Sequence, residues 1–208
     1  AHVRADALPA HLRLERIGPE EMLLAGPVGI GERHLLHAEA RMEPGPHGAD
    51  IAVDDQLAAG GLAVYALDLR GRGKSDGERF YVDTITDYVS DVAGTIKIAK
   101  TRDPGLPVFL LGHSAGGVVS CSYALDHQSE IAGLICESFA FKVPAPDFAL
   151  AIIKGLSYVA PRLRVLRLKN EDFSRDPKAV QQLNSDPLIA NEVQPAKTVA
   201  ALVRADER

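Results

Sequence analysis

One stretch, Val108-Phe109-Leu110-Leu111-Gly112-His113-Ser114-Ala115-Gly116-Gly117, constrains this chain more than any other. An apolar run ends there in Gly-x-Ser-x-Gly and passes directly into a segment with helical periodicity. Val108 to Leu111 have the length and apolarity of a buried strand, and Val118, Val119, Tyr123, Ala124 and Leu125 give the following segment one apolar face. Strand, tight turn and helix in that order read as a nucleophile elbow. The glycines have a physical task, because a Ser held in a strained turn needs neighbours with no Cβ to meet the strand and the helix. Ser114 would project its hydroxyl above the sheet edge, and the N–H of Ala115, at the start of the helix, would face an oxyanion and gain from the helix dipole. The alternative is a glycine-rich strand-to-helix turn with no chemistry.

With 208 residues, 46% of them hydrophobic, the chain suits an α/β unit with a sizeable core. Its formal charge of −5 and its scattered basic residues give no stripe for nucleic acid, so no nucleic-acid partner is expected. Cys121 and Cys136 read as core thiols rather than a disulfide or a metal site, and neither metal nor cofactor is expected. No run of about 18 apolar residues is present, and no signal peptide is legible at the N-terminus. The expected location is cytoplasmic, although the start at Ala1 leaves a trimmed leader open.

Residues 1 to 20 carry no readable motif. Met22 to Leu24 and Leu35 to Ala38 read as two short strands around the turn-rich Gly26 to Gly31, an opening hairpin. Gln56 to Gly61 reads as a short helix ending at glycine, and Leu62 to Leu67 as a strand buried on both faces and ending at Asp68. The polar loop Asp68-Leu69-Arg70-Gly71-Arg72-Gly73-Lys74-Ser75-Asp76-Gly77 invites a phosphate-binding reading. However, Gly73-Lys74-Ser75 is followed by Asp76-Gly77 and not by a helix, so it reads as a structural turn. Thr84 and Asp87 mark a helix start. Ile85, Val89, Val92, Ile96 and Ala99 keep one apolar face until Asp103-Pro104-Gly105, and Ile131 to Cys136 form the next strand. This alternation predicts right-handed crossovers and a mainly parallel sheet. Phe148 to Val159, bracketed by prolines, is a helix too apolar to stand in water alone and reads as a cap over an apolar substrate, or as an ordinary packing helix.

The loop Asp68 to Gly77, the elbow Leu111 to Gly117, and Ser174-Arg175-Asp176-Pro177 with Asp186-Pro187-Leu188 together resemble the monoacylglycerol lipase and lysophospholipase branch of the α/β-hydrolase fold, the serine aminopeptidase S33 type. The likeness covers residues 60 to 208. It implies a mainly parallel sheet with flanking helices and a helical cap: a core over 1–142, a cap over 143–190, and over 191–208 the start of the helix that leads to the fold's last strands. It also implies hydrolysis of carboxylic esters of lipid-like substrates through a Ser114 acyl-enzyme, with Ala115 as one oxyanion donor and transient contact of the cap with a membrane surface.

Two departures from the family pattern stand out. The family's His-Gly oxyanion loop has only His47-Gly48 as a counterpart, which would make Ala49 N–H the second donor, after an interval to Asp68 that is shorter than the family's. The family's triad acid and His follow the cap, so here they are expected beyond residue 208, with the last strands. No His follows His127, which lies thirteen residues past Ser114, roughly 20 Å along a helix. His113 is expected to order the turn, and His34 and His37 fall in the opening hairpin, away from the catalytic edge. Asp172, Asp176 and Asp186 read as helix caps and breakers. A non-catalytic acyl-binding module, and acyl chemistry on peptides, thioesters or lactones, stay open beside ester hydrolysis. Acyl length, head group and oligomeric state are not legible.

Overall fold

The computed structural model describes residues 60–140, 145–189 and 192–208, a helical turn at 56–58, and the backbone of two strands at 13–17 and 33–38. Met22 to Leu24, the Gly26 to Gly31 turn and His47-Gly48-Ala49 lie outside the described residues.

Five strands form the main sheet: β1 (Arg13–Ile17), β2 (Arg33–Ala38), β3 (Leu62–Asp68), β4 (Val108–His113) and β5 (Gly133–Glu137), in the order β1-β3-β2-β4-β5. All neighbours run parallel except β1, which pairs antiparallel with β3. The expected parallel sheet is therefore present, but Leu35 to Ala38 do not belong to a hairpin. They lie in β2 at the sheet centre, with His34 opposite Ala63 and Val108, and His37 opposite Ala66 and Leu111. A short apolar run has the same local pattern in an edge hairpin as in a central strand, and only non-local pairing separates the two.

Helix α1 (Ile85–Arg102) crosses from β3 to β4. The N–H and hydroxyl of Thr84 donate to the Asp87 carboxylate at 3.0 and 2.8 Å, and Lys100 and Arg102 occupy the last turn, where cations favour the helix dipole. Helix α2 (Ala115–Asp126) joins β4 to β5. Together α1 and α2 close the core over Tyr65, Leu67, Leu110, Val92, Ile96, Val119 and Tyr123. Among the described residues β5 is an edge strand. Ile135 is 45% exposed on it, and Cys136, expected in the core, is exposed for the same reason.

The C-terminal third holds α3 (Asp147–Val159), β6 (Arg164–Arg167), α4 (Pro177–Ser185), β7 (Val193–Pro195) and α5 (Ala196–Asp206), with β6 antiparallel to β7. Leu150 on α3 packs with Val199 and Val203 on α5, while Ala201 of α5 joins the main core, so α5 links the two apolar clusters. Helix α3 carries a second apolar stripe: Phe148 is 70% exposed, and Ile152 and Val159 follow it at helical spacing. One partner helix covers one stripe of a helix that is apolar on two.

Asp206 closes α5 with a buried Oδ1 that has no partner among the described residues. Burial and the neighbouring Glu207 push its pKa up to about 6 from 3.8. The folded state thus holds this proton more tightly than the unfolded chain. Stability falls as pH rises from about 4 to 6, and the penalty is complete above 6. Asp206→Asn is expected to raise the free energy of urea unfolding at pH 7, by on the order of 1 kcal/mol after solvent screening, and to leave it unchanged at pH 4. An equal effect at both pH values would contradict this.

Candidate active site

The elbow forms as its residue pattern requires. Ser114 sits between the last residue of β4 and the first of α2 with φ +51° and ψ −120°, a conformation that L-residues adopt only when their surroundings enforce it. Its N–H donates to Glu137 O at 3.0 Å, and its own carbonyl accepts from Gly117 N at 3.0 Å and from Ala140 N at 3.4 Å. A Cβ at Gly112 would lie 2.4 Å from Gly116 O, and one at Gly117 would lie 2.7 Å from the Phe139 ring. The glycines are there because helix and strand nearly touch. The stretch 137–140 is the support that the sequence reading missed. Its only sequence signal is that it follows directly on a strand adjacent to the elbow strand.

Ala115 is exposed at the first position of α2, where the N–H has no intrahelical acceptor. Ser114 and Ala115 therefore lie side by side as expected, whereas Ala49 is outside the described residues. Ala38 pairs with Gly112, so β2 leaves the sheet level with the elbow. His34, opposite Val108, does lie at the far end of the elbow strand, whereas His37, expected to lie there too, is level with Leu111, three positions before Ser114.

His127 does lie at the far end of α2. Its ring stacks on Tyr123 at 4.5 Å, and Nδ1 lies 3.0 Å from a Glu130 oxygen. Asp176 caps α4 by accepting from Lys178 N at 2.9 Å, and Asp186 accepts from Leu188 N at 2.8 Å, so both carboxylates are engaged in chain turns. Among the described residues no His or carboxylate is hydrogen-bonded to the Ser114 hydroxyl. No group of three or more potential metal ligands gathers among them, and no described helix is long and apolar enough to cross a membrane.

The Asp68 to Gly77 loop is a turn folded around carboxylates. Asp68 Oδ2 accepts from Lys74 N at 2.9 Å, and a Cβ at Gly73, which has φ +46°, would lie 2.2 Å from that carboxylate. Arg70 turns the other way, into α1, where its Nη2 and Nε reach Asp91 at 2.5 to 3.1 Å and Nη1 reaches Asp87 at 3.2 Å. Those carboxylates hold the Arg70 guanidinium pKa above its ordinary value, against the opposing effect of burial.

Comparison with known proteins agrees with this architecture. The family model described as serine aminopeptidase, S33, matches residues 50–208. The monoacylglycerol lipase of Mycolicibacterium smegmatis is 34% identical over 155 residues, which cover 73% of this chain and 55% of the relative. The monoglyceride lipase of Homo sapiens is 37% identical over 131 residues, covering 62% of this chain and 43% of the relative. The chain thus spans about half the length of the curated relatives it matches. Among solved structures, the monoacylglycerol lipase of Paleococcus ferrophilus superposes with a TM-score of 0.70 at 29% identity, over 95% of this chain and 70% of that one. The elbow, the parallel sheet and these matches together show that the chain belongs to the serine aminopeptidase S33 family of the α/β-hydrolase fold, in its branch resembling monoacylglycerol lipases.

Proposed function

We propose that the protein hydrolyses carboxylic esters of lipid-like substrates of the monoacylglycerol type, with Ser114 as the nucleophile. The observation that carries this reading is the Ser114 backbone at φ +51°, held by Glu137 and Ala140 at a strand-to-helix turn. Ser114 Oγ attacks the ester carbonyl and its proton passes to a base. The oxyanion takes the N–H of Ala115, with that of Ala49 as the second donor, and loss of one such donor costs about 10²–10³ in kcat. The alcohol leaves with the proton, and water then releases the fatty acid from the acyl-enzyme. The family resemblance implies a triad acid and His that follow the cap, and no described residue is assigned to either role.

The substrate class is supported by the names of the relatives and by the exposed stripe Phe148, Ile152 and Val159 on the cap, residues 143–190. That stripe offers apolar area to an acyl chain or to a lipid surface during transient contact. A second reading, an acyl-binding module without turnover, would use the same elbow and the same exposed apolar stripe.

A fluorophosphonate probe with peptide mapping, alongside fatty-acid release from a monoacylglycerol, tests both readings. In a protein extended to the length of its relatives, an adduct on Ser114 and fatty-acid release are expected. An adduct on another residue, or a full-length protein that binds monoacylglycerol and never releases fatty acid, would leave the binding module as the better account.

A further inference from the structure

The loop at residues 69–83, which is neither a phosphate cradle nor part of the Ser114 chemistry, ties the core to the far end of the cap. Arg79 Nη1 donates to Gly73 O at 2.8 Å, and Nη2 of the same guanidinium donates to Leu188 O, just past α4. Arg72 Nη2 donates to Gln194 Oε1 at 2.8 Å, and its Nη1 pairs with Glu192. The Phe80 ring lies under both guanidiniums, 5.2 Å from Arg72 and 5.0 Å from Arg79. Phe80 is 7% exposed and has φ +63°, a backbone state that persists only where its surroundings over-determine it. Thr198 Oγ1 at the start of α5 donates to Phe80 O at 2.9 Å and accepts from Val82 N at 2.9 Å.

Helix α3 is held to α5 by the apolar contacts of Leu150, Val199 and Val203, by the Lys154–Glu207 pair and by a bond from Arg204 Nη2 to Ser157 Oγ at 3.2 Å. Leu188 at the end of the cap, and Glu192 just past it, are held by a few directional, charge-assisted bonds from arginines of the loop, which a small displacement breaks. The geometry points to a latch at residues 72–80 that holds the end of the cap, with Arg79 and Arg72 as its two clips and Phe80 as the plate that orients them. This inference rests on the reading of 143–190 as a cap over the Ser114 site. On that reading Arg79 is a positioning residue for acyl binding that acts through Leu188 and does not touch substrate.

Hydrogen exchange on the full-length protein and on Arg79→Gln tests the latch, with Glu192→Gln as a second variant should the first fold poorly. Backbone exchange across residues 163–189 is expected to rise by about tenfold while β4 and α2 stay unchanged. Arg79→Lys is expected not to restore it, because one ammonium does not reproduce a fork spanning Gly73 O and Leu188 O. For turnover, KM for a long-chain ester is expected to rise about fivefold, with kcat on a short acetyl ester within about twofold. No rise over 163–189, or an equal rise in β4 and α2, overturns the latch. A local rise with KM for long and short esters moving together overturns the positioning role. A parent protein that hydrolyses no ester defeats the reading of the site instead, and the exchange result then decides the latch alone.

Discussion

Ser114→Ala is expected to end covalent capture of a fluorophosphonate and to lower ester turnover by roughly 10⁴–10⁶-fold in a protein that carries its acid and base. On the proposed mechanism, removing the oxygen deletes the atom that forms the acyl bond, and what survives is the contribution of binding and of the oxyanion donors. Ser114→Gly separates chemistry from fold. Glycine adopts φ +51° without the strain that serine bears, and that relief is worth about 1–3 kcal/mol, less about 0.5–1 kcal/mol for glycine's greater freedom when unfolded. The glycine variant should therefore be as inactive as the alanine variant, yet melt about 2–4 °C higher for each kcal/mol gained. Labelling that survives in either variant would place the nucleophile elsewhere. A glycine variant less stable than its parent would show that the elbow carries no strain.

Arg70→Met is expected to be the most damaging substitution for stability, by about 3–5 kcal/mol, or about 10 °C in Tm. The Asp91 side chain is fully buried, while that of Arg70 is 27% exposed, so removing the guanidinium takes the charged partner from a carboxylate that cannot reach water in its place. Pairing Arg70→Met with Asp91→Leu should recover part of the loss, because it removes the buried charge as well. Recovery stays incomplete, since Arg70 N–H also donates to Asp91 Oδ2 at 3.1 Å and would lose that acceptor. Urea unfolding of both single variants and the double gives the coupling directly. A single-variant loss below 1 kcal/mol, or additive losses, would mean that the pair is no more than a surface contact.

Local rules acted where they had no competitor. Thr84 and Asp87 start α1 because an N-terminal turn needs acceptors within three residues, and Gly112, Ser114 and Gly117 lie close enough together for one sterically crowded turn to determine all of them. The glycine-rich loop was legible as a turn for the same reason, since Gly73 folds it around Asp68, five positions earlier. Its long-range contacts were not legible. Nothing near Arg70, Arg72 or Arg79 in the chain indicates that Asp91, Glu192 or Leu188 is the partner, because those pairs form only after α1 and α5 have packed.

The placement of β2 shows the same boundary most clearly. Leu35 to Ala38 announce a strand, but an apolar tetrapeptide pairs equally well with any free edge, and the choice of β3 and β4 as neighbours is made by the sheet. Cys136 turned outward for a related reason: a run that reads as buried is buried only if a strand lies beyond it, and among the described residues β5 has none. The sequence by itself determined the elbow, the helix boundaries and the family, because each rests on contacts between residues a few positions apart. The tertiary structure alone decided strand order, the partners of the arginines and which apolar stripe of α3 is covered, because those depend on contacts across tens of residues that no local pattern encodes.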